Sequence, residues 1–204
     1  MIGMRRASIS IERQEWDREP DDAGLELAAT LGYSEAEGAF QSLIAKGSVL
    51  AMVNLANVYE FRPEENGGPD FVLAEYWYRK SIDAGSAVST LPAGYFYLRR
   101  KKYKEAQQVF AVGVERGYAP SVLRLAHLYA NGLGVEKNDA RADELLTQAS
   151  KLGNLLAKMW LAERYMSTKG DYLKIAKGLC LICVAAAQYH YERRYRPWSE
   201  KLKK

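Results

Sequence analysis

Apolar residues in this chain fall at helical spacing, and the same spacing returns along its length. Four glycines, Gly47, Gly85, Gly117 and Gly153, stand 38, 32 and 36 residues apart. Eleven residues before them are Ala36, Ala74, Ala106 and Ala142; twelve after them are Tyr59, Tyr97, Tyr129 and Tyr165. Small residues recur four residues on (Ala51, Ser89, Ser121, Ala157) and nine residues on (Ala56, Gly94, Ala126, Ala162). Apolar ones recur eight residues on, at Leu55, Ala93, Leu125 and Leu161. Offsets eight and twelve are i and i+4, so they share a helix face.

Each unit therefore predicts two helices. The first runs from just after a glycine to about the tyrosine. The second starts near the next alanine and ends at the next glycine, where a left-handed residue closes it. Alanine opens a close helix–helix contact, and bulky pairs such as Trp77–Tyr78 and Leu145–Leu146 fill the core. Asp70 and Asp139 are the expected N-caps of two second helices. A weaker fifth unit is expected from Ala176, eleven residues before Ala187, where alanine replaces the glycine. The one alternating stretch, Ser8 to Ile11, is too short and too charged in context to predict a strand. The fold expected is an all-α array of stacked antiparallel hairpins. Residues 1–20 form an N-terminal extension, 21–188 the array of four to five units, and 189–204 a basic C-terminal cap or tail.

The run Ser121 to Asn154 carries Leu125-Ala126, Tyr129, Gly132-Leu133-Gly134-Val135, Ala142 and Gly153. An earlier unit carries Ala51, Leu55-Ala56, Tyr59, Ala74, Trp77-Tyr78 and Ala84-Gly85. This joint pattern resembles the Sel-like repeat, a relative of the tetratricopeptide repeat, over roughly residues 23 to 188. The resemblance implies a right-handed α-solenoid that acts as a scaffold or regulator of complexes, often in bacterial signalling, envelope or secretion pathways. Departures exist. The unit from Gly94 to Phe110 lacks the Gly-x-Gly loop, the unit before it carries the longer insert Phe61 to Asp70, and the half-unit around Gly24 to Gly47 is degenerate.

Composition agrees with a folded globular chain: 48% hydrophobic, 26% charged, and a net charge of +4 that does not by itself point to nucleic acid. The first residues contain no apolar signal core, and the apolar run from Gly178 to Ala187 is short for a bilayer span. With two cysteines, a disulfide scaffold is excluded. A cytoplasmic location without a membrane span is the expectation.

Motifs for chemistry are sparse. The pair Gly132 and Gly134 follows a helical segment rather than a strand, and no third glycine or Gly-Lys-Ser follows. It is read as a hairpin joint rather than a phosphate loop. Cys180 and Cys183 have one nearby histidine, His190, which is too few ligands for zinc, so they are read as small residues packed in the last hairpin. The chain has two histidines and no Gly-x-Ser-x-Gly elbow. No catalytic residue, metal or cofactor is expected, and an enzyme is the third-ranked reading. The tetrapeptide Arg5 to Ser8 matches a basic-directed kinase pattern that occurs often by chance.

A stack of hairpins presents a face of first helices suited to an extended or helical segment of another protein. By analogy with tetratricopeptide grooves, the outward positions are Val53, Asn57 and Glu60; Leu91, Tyr95 and Leu98; Leu123, His127 and Ala130; and Met159, Glu163 and Met166. The reading is a non-enzymatic interaction adaptor whose partner is another protein or peptide segment. The alternative is a binder of nucleic acid or an acidic surface. It would use Arg99, Arg100, Lys101, Lys102 and Lys104 with the basic C-terminus from Arg193 to Lys204. The bland reading of these cations is a solvated turn and a solubilising end.

Overall fold

The computed structural model describes residues 20–167 and 171–195. Among these residues there are ten α-helices, one 3-10 turn and no strand. The expectations for Ser8 to Ile11, for Arg5 to Ser8 and for the tail beyond Tyr195 lie outside the described residues. The chain divides into two compact units, Met1–Pro92 and Ala93–Lys204.

The first unit holds α1 (Asp22–Ala28), α2 (Tyr33–Ala45), α3 (Val49–Phe61), a 3-10 turn at Glu64–Asn66, α4 (Phe71–Asp83) and the start of α5 (Thr90–Arg99). Helices α1 to α4 pack in sequence order. Ala51, Leu55, Ala56, Ala74 and Tyr78 are fully buried between α3 and α4. The Tyr78 phenol sits within donating distance of two acceptors, the Glu60 carboxylate at 2.9 Å and the Asn57 amide oxygen at 2.6 Å. Glu60 is therefore buried inside the hairpin, 4% exposed, with no open face for a groove.

The second unit continues with α6 (Tyr103–Glu115), α7 (Ala119–Asn131), α8 (Asp139–Lys151), α9 (Leu155–Met166) and α10 (Tyr172–Tyr195). From α6 onward each helix packs on the next. Its core includes Phe96, Phe110, Leu125, Leu145 and Leu146, all under 5% exposed.

The four register glycines close α2, α4, α6 and α8 with positive φ of 95°, 97°, 70° and 88°. After α2, the Gly47 N–H donates to Ile44 and the Ser48 N–H reaches back to Leu43, at 2.9 and 3.0 Å. The same pair of bonds follows α4, α6 and α8, and it satisfies carbonyls that the helix end would otherwise leave open. The residue after the glycine then opens the next helix. Ser48 accepts from Ala51 N–H and Asn154 from Ala157 N–H, both at 2.9 Å. The junction from second to first helix takes three residues after α2, α6 and α8, and six after α4.

The opposite junction varies in length but not in its ends. The carbonyl of the register tyrosine accepts the N–H of the next helix's N-cap in three hairpins: Tyr59 from Asp70, Tyr97 from Lys102 and Tyr129 from Asn138, at 2.9 to 3.0 Å. The shortest of these joints places Lys101 at φ 56°, the one non-glycine left-handed residue among those described.

Two sequence expectations change here. Asp70 caps α4 as expected, accepting from Val72 and Leu73. The cap of α8 is Asn138 and not Asp139: the Asn138 side chain accepts from Arg141 N–H at 2.9 Å, which leaves Asp139 free to pair elsewhere. The fifth unit also departs from its register. Helix α10 runs through Ala187 to Tyr195 without a break, because alanine does not supply the left-handed stop. Its buried positions are Gly178 and Ala185, not Ala176. A Cβ on Gly178 would lie 2.9 Å from the Ala162 carbonyl oxygen, so this bare position lets α10 approach the α9 backbone. As a result Cys180 and Cys183 are exposed rather than packed in the hairpin.

Helix α10 is also longer than the ten-residue apolar run within it. Its segment from Tyr172 to His190 has mean hydropathy 1.2, is 11% buried, and is long and apolar enough to cross a membrane by length and composition alone.

Candidate functional site

In the second unit, α7, α8 and α9 wall a cleft of about 680 Å³ lined by His127, Ala130, Asp143, Trp160, Glu163 and Arg164, among others. The His127 and Trp160 rings face each other at 5.9 Å with a 43° tilt. Burial, with the Arg124 charge adding to it, holds the His127 imidazole below its ordinary range, so it is neutral at pH 7. Arg124 itself lies over the Tyr95 ring at 5.0 Å.

The cleft floor is set by Arg164. Its Nη2 donates to Asp139 Oδ1 at 3.1 Å, and its Nε donates to Asp143. Those partners lie four residues apart on α8, so one guanidinium spans a single helix turn and ties α9 to α8. The Asp139 carboxyl is held below its usual range, chiefly by the Arg164 hydrogen bond. A depressed carboxylate contributes stability above its unfolded pKa of about 3.9 and loses it as pH falls through the lower folded value. Replacing Arg164→Met should lower urea stability by a constant amount between pH 5 and 8. The difference from the unaltered chain should shrink below pH 4; a gap that persists at pH 2 would assign the effect to packing.

A second cleft of about 930 Å³ adjoins the first and opens between α9 and α10. It is lined mainly by apolar side chains, including Leu155, Met159, Met166, Ile182 and Tyr189. Met159 is 51% and Met166 42% exposed. Trp160, Glu163 and Ser167 line both clefts and form the wall between them.

The expected groove residues are thus placed as follows. His127, Ala130 and Glu163 meet in the polar cleft; Met159, Glu163 and Met166 meet in the apolar one. Tyr95 and Leu98 are half-buried on α5, and Leu123 is buried at 3%. In the first unit, Val53 and Leu91 are half-buried, and Asn57 lines a separate 330 Å³ hollow with Phe40, Asn54 and Phe61. Within the basic run, Arg99, Lys101, Lys102 and Lys104 are exposed, whereas Arg100 packs over the Phe96 ring at 3.9 Å and donates to the Phe96 carbonyl. Sequence reasoning missed Trp160, Arg164 and Asp143. The available signal was spacing: Trp160 precedes Glu163 by three residues and Arg164 by four, on the open side of the same helix.

Among the described residues, no group of three or more His, Cys, Asp or Glu is placed to hold a metal ion.

The comparisons with known proteins agree with this architecture. The Sel1 repeat model matches residues 49–86 and 119–154, which are the hairpins α3–α4 and α7–α8. These two hairpins are thus similar to Sel1 repeats, and Sel1 repeat proteins are generally protein-interaction scaffolds. The α5–α6 hairpin, with its four-residue joint, falls outside the matched segments. No curated protein matches the chain in sequence. Among solved structures, it is similar to a Sel1 repeat protein from Oxalobacter formigenes, at TM-score 0.60 and 22% identity over 76% of this chain and 64% of that one. It is similar to c5321, a protective antigen of uropathogenic Escherichia coli with an SLR fold, at TM-score 0.59 and 22% identity over 83% and 38%. It is also similar to the immunity protein Pa5087 from Pseudomonas aeruginosa, at TM-score 0.53 and 22% identity over 82% and 65%. The chain thus spans less than two thirds of the length of each of these proteins.

Proposed function

We propose that this chain is a non-enzymatic adaptor that binds a segment of another protein along the α7–α9 face of its second unit. The observation that carries the reading is the pair of adjoining clefts with Trp160 and Glu163 on their common wall. A segment laid across that wall would seat apolar side chains beside Met159 and Met166. Methionine adapts to varied shapes, which suits a surface that takes a side chain rather than a rigid small molecule. The exposed Glu163 carboxylate favours a lysine or arginine on the same segment.

Display of random peptides on phage, selected on the immobilised chain, tests this. Enriched peptides should combine bulky apolar residues with a basic one. Their affinity, measured by fluorescence anisotropy, should fall at least tenfold, about 1.4 kcal/mol, in Met159→Lys/Met166→Lys. Both positions are exposed, so helical circular dichroism should be unchanged. Asn57→Ala, in the other unit, should bind as the unaltered chain does. Equal affinity in the double variant would remove the clefts from the function.

A further inference from the structure

The cleft between α9 and α10 opens beside a piece of the same chain whose chemistry matches it. Its walls run along α9 from Leu155 to Met166 and along α10 from Tyr189 to Ile182. The two helices are antiparallel, since Lys158 donates to Gln188 while Gly178 approaches Ala162. Leu155 and Tyr189 therefore mark the end of the cleft toward which α10 finishes. Leu156, Met159, Met166, Ile182 and Tyr189 are all exposed. Among the described residues, no cation pairs with the exposed Glu163 carboxylate on the same wall.

Helix α10 stops at Tyr195, six residues past Tyr189. Pro197 accounts for the stop: it has no N–H to offer the Arg193 carbonyl, and its ring crowds that carbonyl. The nine residues after the helix, Arg196 to Lys204, carry four cationic side chains against the single carboxylate of Glu200. Their two bulky apolar residues, Trp198 and Leu202, are four positions apart. At helical spacing these two share a face, Lys201 flanks it and Glu200 falls on the other side. Two bulky apolar groups and a cation are what the cleft favours.

The reach is sufficient. Tyr195 lies about 9 Å beyond Tyr189 along the α10 axis. Three residues on to Trp198 span about 10 Å, and seven on to Leu202 about 23 Å. A chain that reverses at Pro197 returns Trp198 to the level of Leu155 and Tyr189, and Leu202 to Met159, one turn further in. We infer that Trp198 and Leu202 of this chain's own C-terminal segment dock in the α9–α10 cleft, with Lys201 facing Glu163, and compete there with a partner segment. The tether favours this occupant, because a link of a few residues holds it at an effective concentration on the order of millimolar. The effect on partner binding rests on the function proposed above; the docking does not.

The full chain labelled with 5-fluorotryptophan tests this, since its four tryptophans include Trp198 on the segment and Trp160 on the cleft wall. Trp198→Phe and Trp160→Phe assign the two resonances. With a soluble gadolinium chelate, the Trp198 fluorine should relax several-fold more slowly in the unaltered chain than in Met159→Lys/Met166→Lys. Reciprocally, Trp198→Ala/Leu202→Ala should speed relaxation at Trp160. Helical circular dichroism should be the same in all variants. The tail variant should also bind the phage-selected peptides about tenfold more tightly, as follows if the segment fills the cleft about nine-tenths of the time. A Trp198 fluorine equally open to the chelate with and without the two lysines overturns the inference, as does one equally protected in both. Protection that grows from 10 to 200 µM overturns it in favour of a segment exchanged between two copies. Peptide affinity unchanged by Trp198→Ala/Leu202→Ala overturns the competition. The fluorine readout needs no peptide, so a failed selection would remove the proposed function and leave the docking to be decided by Trp198.

Discussion

Replacing Gly134→Ala should cost about 3 kcal/mol of folding stability, far more than the same change two residues earlier. Gly134 has φ 71°, and a Cβ there would lie 2.4 Å from the Tyr103 carbonyl carbon and 2.5 Å from its oxygen. The obstacle is backbone at the start of α6, so no rotamer change relieves it. A left-handed alanine costs roughly 1–2 kcal/mol and an overpacked contact about 1–3 more. Gly132 is also left-handed, at φ 65°, but the nearest atom to its added carbon is the Lys137 Cβ at 3.3 Å. Gly132→Ala should therefore cost only the conformational term, about 1 kcal/mol. Urea unfolding checks both, with the midpoint shifting at constant m. Equal losses at the two positions would mean that Gly134 serves only the turn and not the contact between hairpins.

The second large effect is a coupling. Gly94 lies on α5 directly under Phe110, whose Cε1 would be 2.2 Å from an added Cβ, and Phe110 is fully buried with no room to yield. Gly94→Ala should destabilise by about 2 kcal/mol, even though alanine alone is the better helix former. In a Phe110→Leu background the same substitution should be neutral or favourable. Gly94→Ala together with Phe110→Leu rebuilds the combination of Ala126 and Leu146, which occupies the same register in the next hairpin. The double-mutant cycle should show a coupling of roughly 1.5–2.5 kcal/mol. An additive cycle would remove the steric explanation.

Glycine at position 94 thus reads in two ways from sequence alone. Its register offset marked it as a small residue, which is correct, but only the ring above it shows why alanine is too large. The helical hairpins were legible because their stops depend on backbone conformation that few residues other than glycine adopt. The register found from spacing places each of those four glycines at positive φ. The last helix was not legible. With Ala187 in the glycine position, no local stop remained, and the face it buries was decided by the close approach at Gly178 to a helix elsewhere in the chain.

The candidate surface was legible in part for a related reason. Position within the repeat identified Met159, Glu163 and Met166 as outward, and they line clefts. It misplaced Glu60, because the partner that buries it, Tyr78, comes from the second helix of the hairpin. Arg164 escaped notice because its two partners are on α8, twenty-one and twenty-five residues away in sequence, and no offset measured from the glycines connects them.

The bond from each N-cap to the register tyrosine sets a rule for variation. It clamps the two ends of a joint that spans four residues in one hairpin, eight in another and ten in a third. In the longest joint Glu60 is buried and Arg62 donates to the Gly68 carbonyl, while the tip from Glu64 to Gly67 is exposed. Extending such a loop costs only a few tenths of a kcal/mol per few residues. The tip of the stretch between Tyr59 and Asp70 is therefore a place where an epitope, a fluorophore tag or a short recognition peptide can be spliced into this chain with the hairpin's base left intact.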